Sequence, residues 1–178
     1  NCDGEFIPDV YTAGPTIDGC LRSQTWTASY TDACNNVASP KNITYTWTVD
    51  NELPVISTLA ASGNLGCNPQ VSAPEFTGHD NCEGVFNPTV NTNGPDVDGC
   101  IWTQTWTATY TDECQNVAEP YSITYTWTVD QTPPVISTTA ISGDLGCNPL
   151  VEPPVFTGLD NCDGEFIPDV YTAGPTID

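Results

Sequence analysis

TWTATYTDECQNVAEPYSITYTWTVD, residues 105–130, consists of two runs of alternating hydroxyl and aromatic side chains around a polar centre. Thr, Val, Tyr and Trp at period two favour extended backbone, and Asp, Asn and Pro between the runs interrupt it, so the stretch reads as a β-hairpin. Residues 25–50 repeat the pattern as TWTASYTDACNNVASPKNITYTWTVD. Thr103, Thr105, Thr107 and Thr109 share one face of the first strand, and Trp106, Ala108 and Tyr110 share the other. The aromatic face is expected in the core and the threonine face in solvent. A flat threonine ladder that binds ice or sugar is the alternative for that face. Trp102, which stands where the first copy has Arg22, is expected to be the exposed aromatic.

Repetition extends well beyond the hairpin. NCDGEFIPDVYTAGPTID opens the chain and returns unchanged at 161–178, with a diverged copy, NCEGVFNPTVNTNGPDVD, from Asn81. Cys2, Cys82 and Cys162 stand 80 residues apart, and the pairs Cys20/Cys100, Cys34/Cys114 and Cys67/Cys147 share that shift. Such a period marks a tandem array. The best boundary is the step DNELPVIS at 50–57 and DQTPPVIS at 130–137, where proline stops a sheet ladder and stiffens a short connector. On this register residues 1–50 are the C-terminal part of one repeat, 51–130 a complete repeat, and 131–178 the N-terminal part of the next. Strands are expected at 55–58, 70–73, 85–90, 103–111 and 122–129, with no helical periodicity of useful length. The expected fold is all-β, as tandem small sandwiches of about 80 residues. The segment reads as a stretch of a longer polypeptide. The alternative is a fibre in which residues 131–160 of one chain are completed by residues 1–50 of another.

A formal net charge of -21, with Arg22 and Lys41 as the only strong cations, repels phosphate and argues against nucleic-acid partners. Anionic membrane surfaces are disfavoured for the same reason, and no apolar run is long enough to insert. Divalent cations are attracted instead. Nine cysteines without any C-x-x-C pair point to disulfides in an oxidising compartment rather than to zinc. Cross-links would also compensate for a small core. His79 is the sole histidine, and no nucleophile–base pair or phosphate loop can be assembled, so no catalytic residue is expected.

PPVIS at 133–137, Cys67 fifteen residues before Cys82 in its Asp-Asn-Cys step, TWTATYTDECQN and ITYTWTVD together resemble the hyalin-repeat (HYR) family of immunoglobulin-like modules. The resemblance spans nearly the whole repeat. Two departures are a first strand, VIST, without the cysteine often found there, and the additional Cys100. Tandem cysteine-bearing repeats of this kind also resemble the giant SprB-like gliding-motility adhesins of bacteria. These resemblances imply a disulfide-stapled immunoglobulin-like sandwich in the stalk of an extracellular, cell-surface adhesin, serving attachment or gliding. Its partners would be neighbouring repeats, with surface glycans or proteins at a tip. The alternative function is a carbohydrate- or protein-binding module, Ca²⁺-dependent or not.

The complete repeat holds Cys67, Cys82, Cys100 and Cys114, which allow three connectivities. Cys100 and Cys114 flank a strand spanning roughly 45 Å when extended, against a disulfide tolerance of about 7 Å between Cα atoms. The immunoglobulin-like topology implied by the resemblance then places Cys82 with Cys114 at one end and Cys67 with Cys100 at the other. These are the expected disulfides, with Cys2–Cys34 in the leading piece and Cys20, Cys147 and Cys162 left without partners.

The same topology gathers Asp50, Glu52, Asp80, Glu83, Asp112 and Glu113 at one joint, and Asp130, Asp160 and Asp163 at the next. Several carboxylates with loop carbonyls suit Ca²⁺ at the inter-repeat junctions. The plainer reading is that acidic turns cap strands and keep the array soluble. Asn42 opens an Asn-Ile-Thr glycosylation sequon that the second copy, with Ser122, lacks.

Overall fold

The structure, a computed structural model, describes residues 4–174. Among these residues the chain is all-β, with no helix. The first copy of the hairpin is β3 (Leu21–Ser29) and β4 (Lys41–Thr48), preceded by β1 (Asp9–Thr12) and β2 (Thr16–Asp18). Then follow β5 (Val55–Ser57), β6 (Gly63–Cys67), β7 (Thr77–Asp80), β8 (Gly84–Phe86) and β9 (Thr89–Asp98). The second hairpin is β10 (Ile101–Thr109) and β11 (Tyr121–Thr128), and β12 (Val135–Ser137), β13 (Thr157–Asp160) and β14 (Gly164–Phe166) complete the series.

Both hairpins fold as their alternation dictates. β3 and β4 pair antiparallel from Leu21↔Thr48 to Ala28↔Lys41, and β1 and β2 pair with the other edge of β3. The threonine faces bond across the strands: Thr25 to Thr44 and Thr105 to Thr124 at 2.8 Å each, and Thr107 to Ser122 at 2.9 Å. Such cross-strand pairs are the unit of sheet stabilisation, and they engage hydroxyls that a sugar would otherwise use. Trp102 is half-buried, its ring 6.1 Å from that of Trp127, rather than standing free in solvent.

The strands between the hairpins differ from expectation. Residues 70–73 are irregular, because Pro69 and Pro74 bracket them and proline withholds a ladder donor while restricting the residue before it. The run at 85–90 divides at Pro88 into β8 and β9. Two strands carry too little apolar signal to be read in advance. β6 pairs parallel to β11, Tyr125↔Gly63 to Thr128↔Cys67, with a register shift between Thr126 and Thr128. Gly66, at φ 84°, supplies the left-handed residue that an irregular ladder needs. β7 joins β5 to β8 through Val55↔His79 and Asp80↔Gly84, and the trailing β12-β13-β14 sheet repeats that order.

The chain resolves into two compact units that each draw on two successive sequence copies. One comprises the residues up to Ala60 with Pro74–Asn91 and Trp106–Ile123; the other comprises Ala61–Ala73, Thr92–Thr105 and the residues from Thr124 onward. In the first, Ile56, Phe76, Trp106, Ala108, Ala118 and Ile123 are buried; in the second, Trp127 is. Of the expected core aromatics, Trp106 and Trp127 are thus inside, whereas Tyr110 and Tyr125 are only half-buried.

Equivalent residues of successive copies are buried to different extents. Ile56 is 7% exposed, whereas Ile136, the same residue of the next copy, is 57% exposed. Trp127 is 6% exposed, whereas Trp47, its counterpart in the leading copy, is 39% exposed. Residues 143–147 differ from β6 by one side chain yet form no strand.

Gly78 lies under the ring of Phe86: a Cβ at this position would stand 2.1 Å from Phe86 Cε2. Phe86 in turn stacks on Tyr110, with centroids 3.6 Å apart and planes 11° off parallel, so the ring has no free side to move to. Gly78→Ala should therefore lower stability by about 1–3 kcal/mol through overpacking. Urea unfolding of the variant, followed by tryptophan fluorescence, measures this.

Candidate functional site: a stapled joint

Antiparallel pairing decides what meets at the joint. Leu21 pairs with Thr48, and the Val49 amide donates to the Cys20 carbonyl at 2.9 Å, so Cys20 sits at the exit of β4. Past the short connector, Val55 pairs with His79, which brings the turn after β7 back to the same place. That turn is Asp80-Asn81-Cys82. Cys20 and Cys82 form a disulfide with a Cα separation of 5.6 Å, and Cys100 and Cys162 form its equivalent with the same separation.

These bonds correct the expected pairing. Cys82 and Cys100 are oxidised, but neither bonds within its own copy; each reaches the neighbouring one. Cys34, Cys67 and Cys114 are exposed free thiols, as is Cys147, so neither Cys82–Cys114 nor Cys67–Cys100 exists. Cys20 and Cys162, expected to lack partners, are both bonded. Cys2, the expected partner of Cys34, lies outside the described residues. Cys114 nonetheless lines the cleft of about 470 Å³ that also contains Cys20, Cys82, Asp50 and Glu83. Desolvation, aided by the charges of Asp112 and Asp50, raises the pKa of the Cys114 thiol above its ordinary value and keeps it protonated.

Each residue of the Asp-Asn-Cys triplet has a distinct task. Asp80 is 2% exposed, and its Oδ1 accepts the amides of Cys82 at 2.8 Å and Glu83 at 2.9 Å. Asn81 donates its side-chain amide to the sulfur atoms of Cys82, at 3.2 Å, and Cys20, at 3.6 Å. Cys82 supplies the bond. The second joint repeats the arrangement, with Asp160 accepting from Cys162 and Asp163, and Asn161 donating to Cys162 and Cys100. The Glu83 amide, ahead of other causes, holds the Asp80 carboxyl below its ordinary 3.8 despite burial; the Asp163 amide does the same for Asp160. Both lie below their unfolded values, so their contribution is full above pH 3.8 and fades as acid is added.

The acidic residues gathered by the immunoglobulin-like reading separate into two groups. Asp50 and Asp80 carboxylate oxygens and Cys82 Sγ lie within 4.8 Å of one another, as do the equivalent atoms of Asp130, Asp160 and Cys162. The others are engaged elsewhere or contribute only backbone. Glu83 accepts the Tyr110 hydroxyl on Oε2 and the Glu113 amide on Oε1. Asp112, buried, accepts the Asn116 amide and side chain, both at 2.7 Å. Glu52 and Asp163 donate backbone amides to Asp50 and Asp160. Asn42 is exposed but paired within β4, opposite Thr27.

Sequence reading passed over the asparagines. Asn116 holds Asp112 and also donates to the Asp50 carbonyl at 3.4 Å, tying the hairpin turn to the connector. Asn68 does the same for the second connector: its side chain accepts from the Asp130 amide at 2.9 Å and donates to the Asp130 carbonyl. The available signal was the Asp-x-x-x-Asn spacing, present in both turns as Asp32/Asn36 and Asp112/Asn116.

The joint generates two predictions. Each disulfide spans 62 residues, and closing a loop of that length restricts the unfolded chain by about 4 kcal/mol. Cys20→Ser should lower the free energy of urea unfolding by about that amount, whereas Cys34→Ser should leave it nearly unchanged. The bond to the Glu83 carboxylate, then desolvation and neighbouring negative charge, push the Tyr110 phenol up to about 12 from 10.0. Its neutral form is favoured, so this stabilisation is complete below pH 10 and is lost as the pH climbs toward 12. In absorbance titration at alkaline pH, the component removed by Tyr110→Phe should ionise last, and Glu83→Gln should move it toward 10.

The chain matches no family model, and no curated protein matches it.

Proposed function

We propose that the chain is a run of immunoglobulin-like, HYR-like modules in the stalk of an extracellular, cell-surface adhesin, a mechanical rather than catalytic part. The observation that carries this reading is that both disulfides cross from the hairpin end of one copy to the Asp-Asn-Cys turn of the next. Bonds that join successive sequence copies carry tension from one copy to the next and limit bending between them. The all-β fold, the oxidised cysteines and the charge of -21, which opposes lateral collapse, agree with an exposed extracellular fibre. The threonine hydroxyls bonded to one another and the half-buried Trp102 weigh against a sugar platform.

With both joints oxidised, the shortest covalent path through one period runs from Cys82 to Cys100 alone. That path extends to roughly 60 Å, against roughly 270 Å for a whole reduced period. Single-molecule stretching should therefore show short extension per period under oxidising conditions and the long value after thiol reductant. Full extension of the oxidised chain would remove the mechanical reading. So would specific binding on a glycan array by this segment, which would favour a recognition module.

A further inference from the structure

We propose that each joint is a binding site for a hard divalent cation of the calcium type, held by Asp50 with Asp80 and, one period on, by Asp130 with Asp160. The inference goes beyond the stalk reading and stands on carboxylate geometry alone. An acidic cluster by itself would not carry it, because charged turns are common in a chain of this composition. The decisive observation is Asp80 Oδ2. This oxygen is buried and accepts no hydrogen bond, on a carboxylate that is only 2% exposed. Its partner oxygen, Oδ1, already takes two backbone amides. A buried anionic oxygen without a donor requires a positive partner, and the chain has few to give. Of its two strong cations, Arg22 turns its guanidinium to the Gly19 and Leu21 carbonyls.

Asp50, half-buried, also caps its own turn. Its Oδ1 accepts the Glu52 amide at 3.1 Å, as Asp130 Oδ1 accepts the Thr132 amide at 2.9 Å. Each aspartate therefore spends one oxygen on its own turn and keeps the other. Carboxylate oxygens within 4.8 Å of one another fit around one Ca²⁺, whose oxygen ligands sit at about 2.3–2.6 Å and so up to about 5 Å apart. The third atom of each cluster, Cys82 or Cys162 Sγ, belongs to a disulfide and offers no thiolate, which disfavours zinc and leaves the hard oxygen set. Water and nearby carbonyls would complete the shell. With only two carboxylates, affinity should fall in the range of extracellular modules, a Kd on the order of 10⁻⁴ to 10⁻³ M.

The test is calorimetric titration of the oxidised, chelator-treated chain with CaCl₂ in 150 mM KCl, where diffuse counter-ion binding is screened. The expected result is two sites per chain, a higher melting temperature with Ca²⁺, and a weaker response to Mg²⁺. Asp80→Asn retains the oxygen that caps the turn and should remove one site, and Asp80→Asn with Asp160→Asn should remove both. Asp50→Asn with Asp130→Asn, in the connectors, repeats the test should the buried substitutions perturb folding. Asp96→Asn, in β9, should leave both sites intact. Absence of heat and of any melting shift at 10 mM Ca²⁺ would overturn the proposal. Unchanged stoichiometry in both double variants would also overturn it, by assigning the binding to net charge.

Discussion

One covalent constraint sets the character of this chain: a cysteine at the exit of one hairpin is bonded to the Asp-Asn-Cys turn of the following copy. The surrounding details serve that bond. Asp80 fixes the turn by accepting two amides, Asn81 lies against both sulfur atoms, and the backbone bond between Val49 and Cys20 holds the other half in place. Asn116 then ties the connector to the buried turn at Asp112.

The core is made in a different way. It is assembled from strands far apart in sequence, and each contribution is incomplete without the others. The contrast between Ile56 and Ile136, or between Trp127 and Trp47, compares near-identical local sequence in two surroundings. β6 makes the same point for backbone: Gly63–Cys67 is a strand paired to β11, and the nearly identical residues 143–147 form none among the described residues. Local propensity supplies the hairpins, whereas tertiary completion supplies the remaining strands.

That division also marks how far the sequence could be read. β3, β4, β10 and β11 were legible because alternation over eight or nine residues is an unambiguous period, and the β5 step was legible from its prolines. β7 was hidden, since Thr-Gly-His-Asp carries no apolar repeat and exists to place Gly78 under Phe86 and Asp80 at the joint. The disulfides were misread because four cysteines in a period invite three pairings inside that period, and a bond between periods lies outside the count. The missing step was that Cys100 meets the next copy's Asp-Asn-Cys turn, at Cys162. Of the acidic residues, sequence identified the neighbourhood but could not tell Asp50 and Asp80, each with an oxygen to spare, from Glu83 and Asp112, whose oxygens are taken.

The sequence period and the folded units do not share a frame. Each compact unit mixes two sequence copies, and each disulfide closes within one unit, Cys20 to Cys82 in the first and Cys100 to Cys162 in the second. Cutting at the connectors, before residue 51 and after residue 130, would orphan Cys82 and Cys100 and divide both units. The repeat is thus a unit of spelling, whereas the unit of folding borrows from two of them.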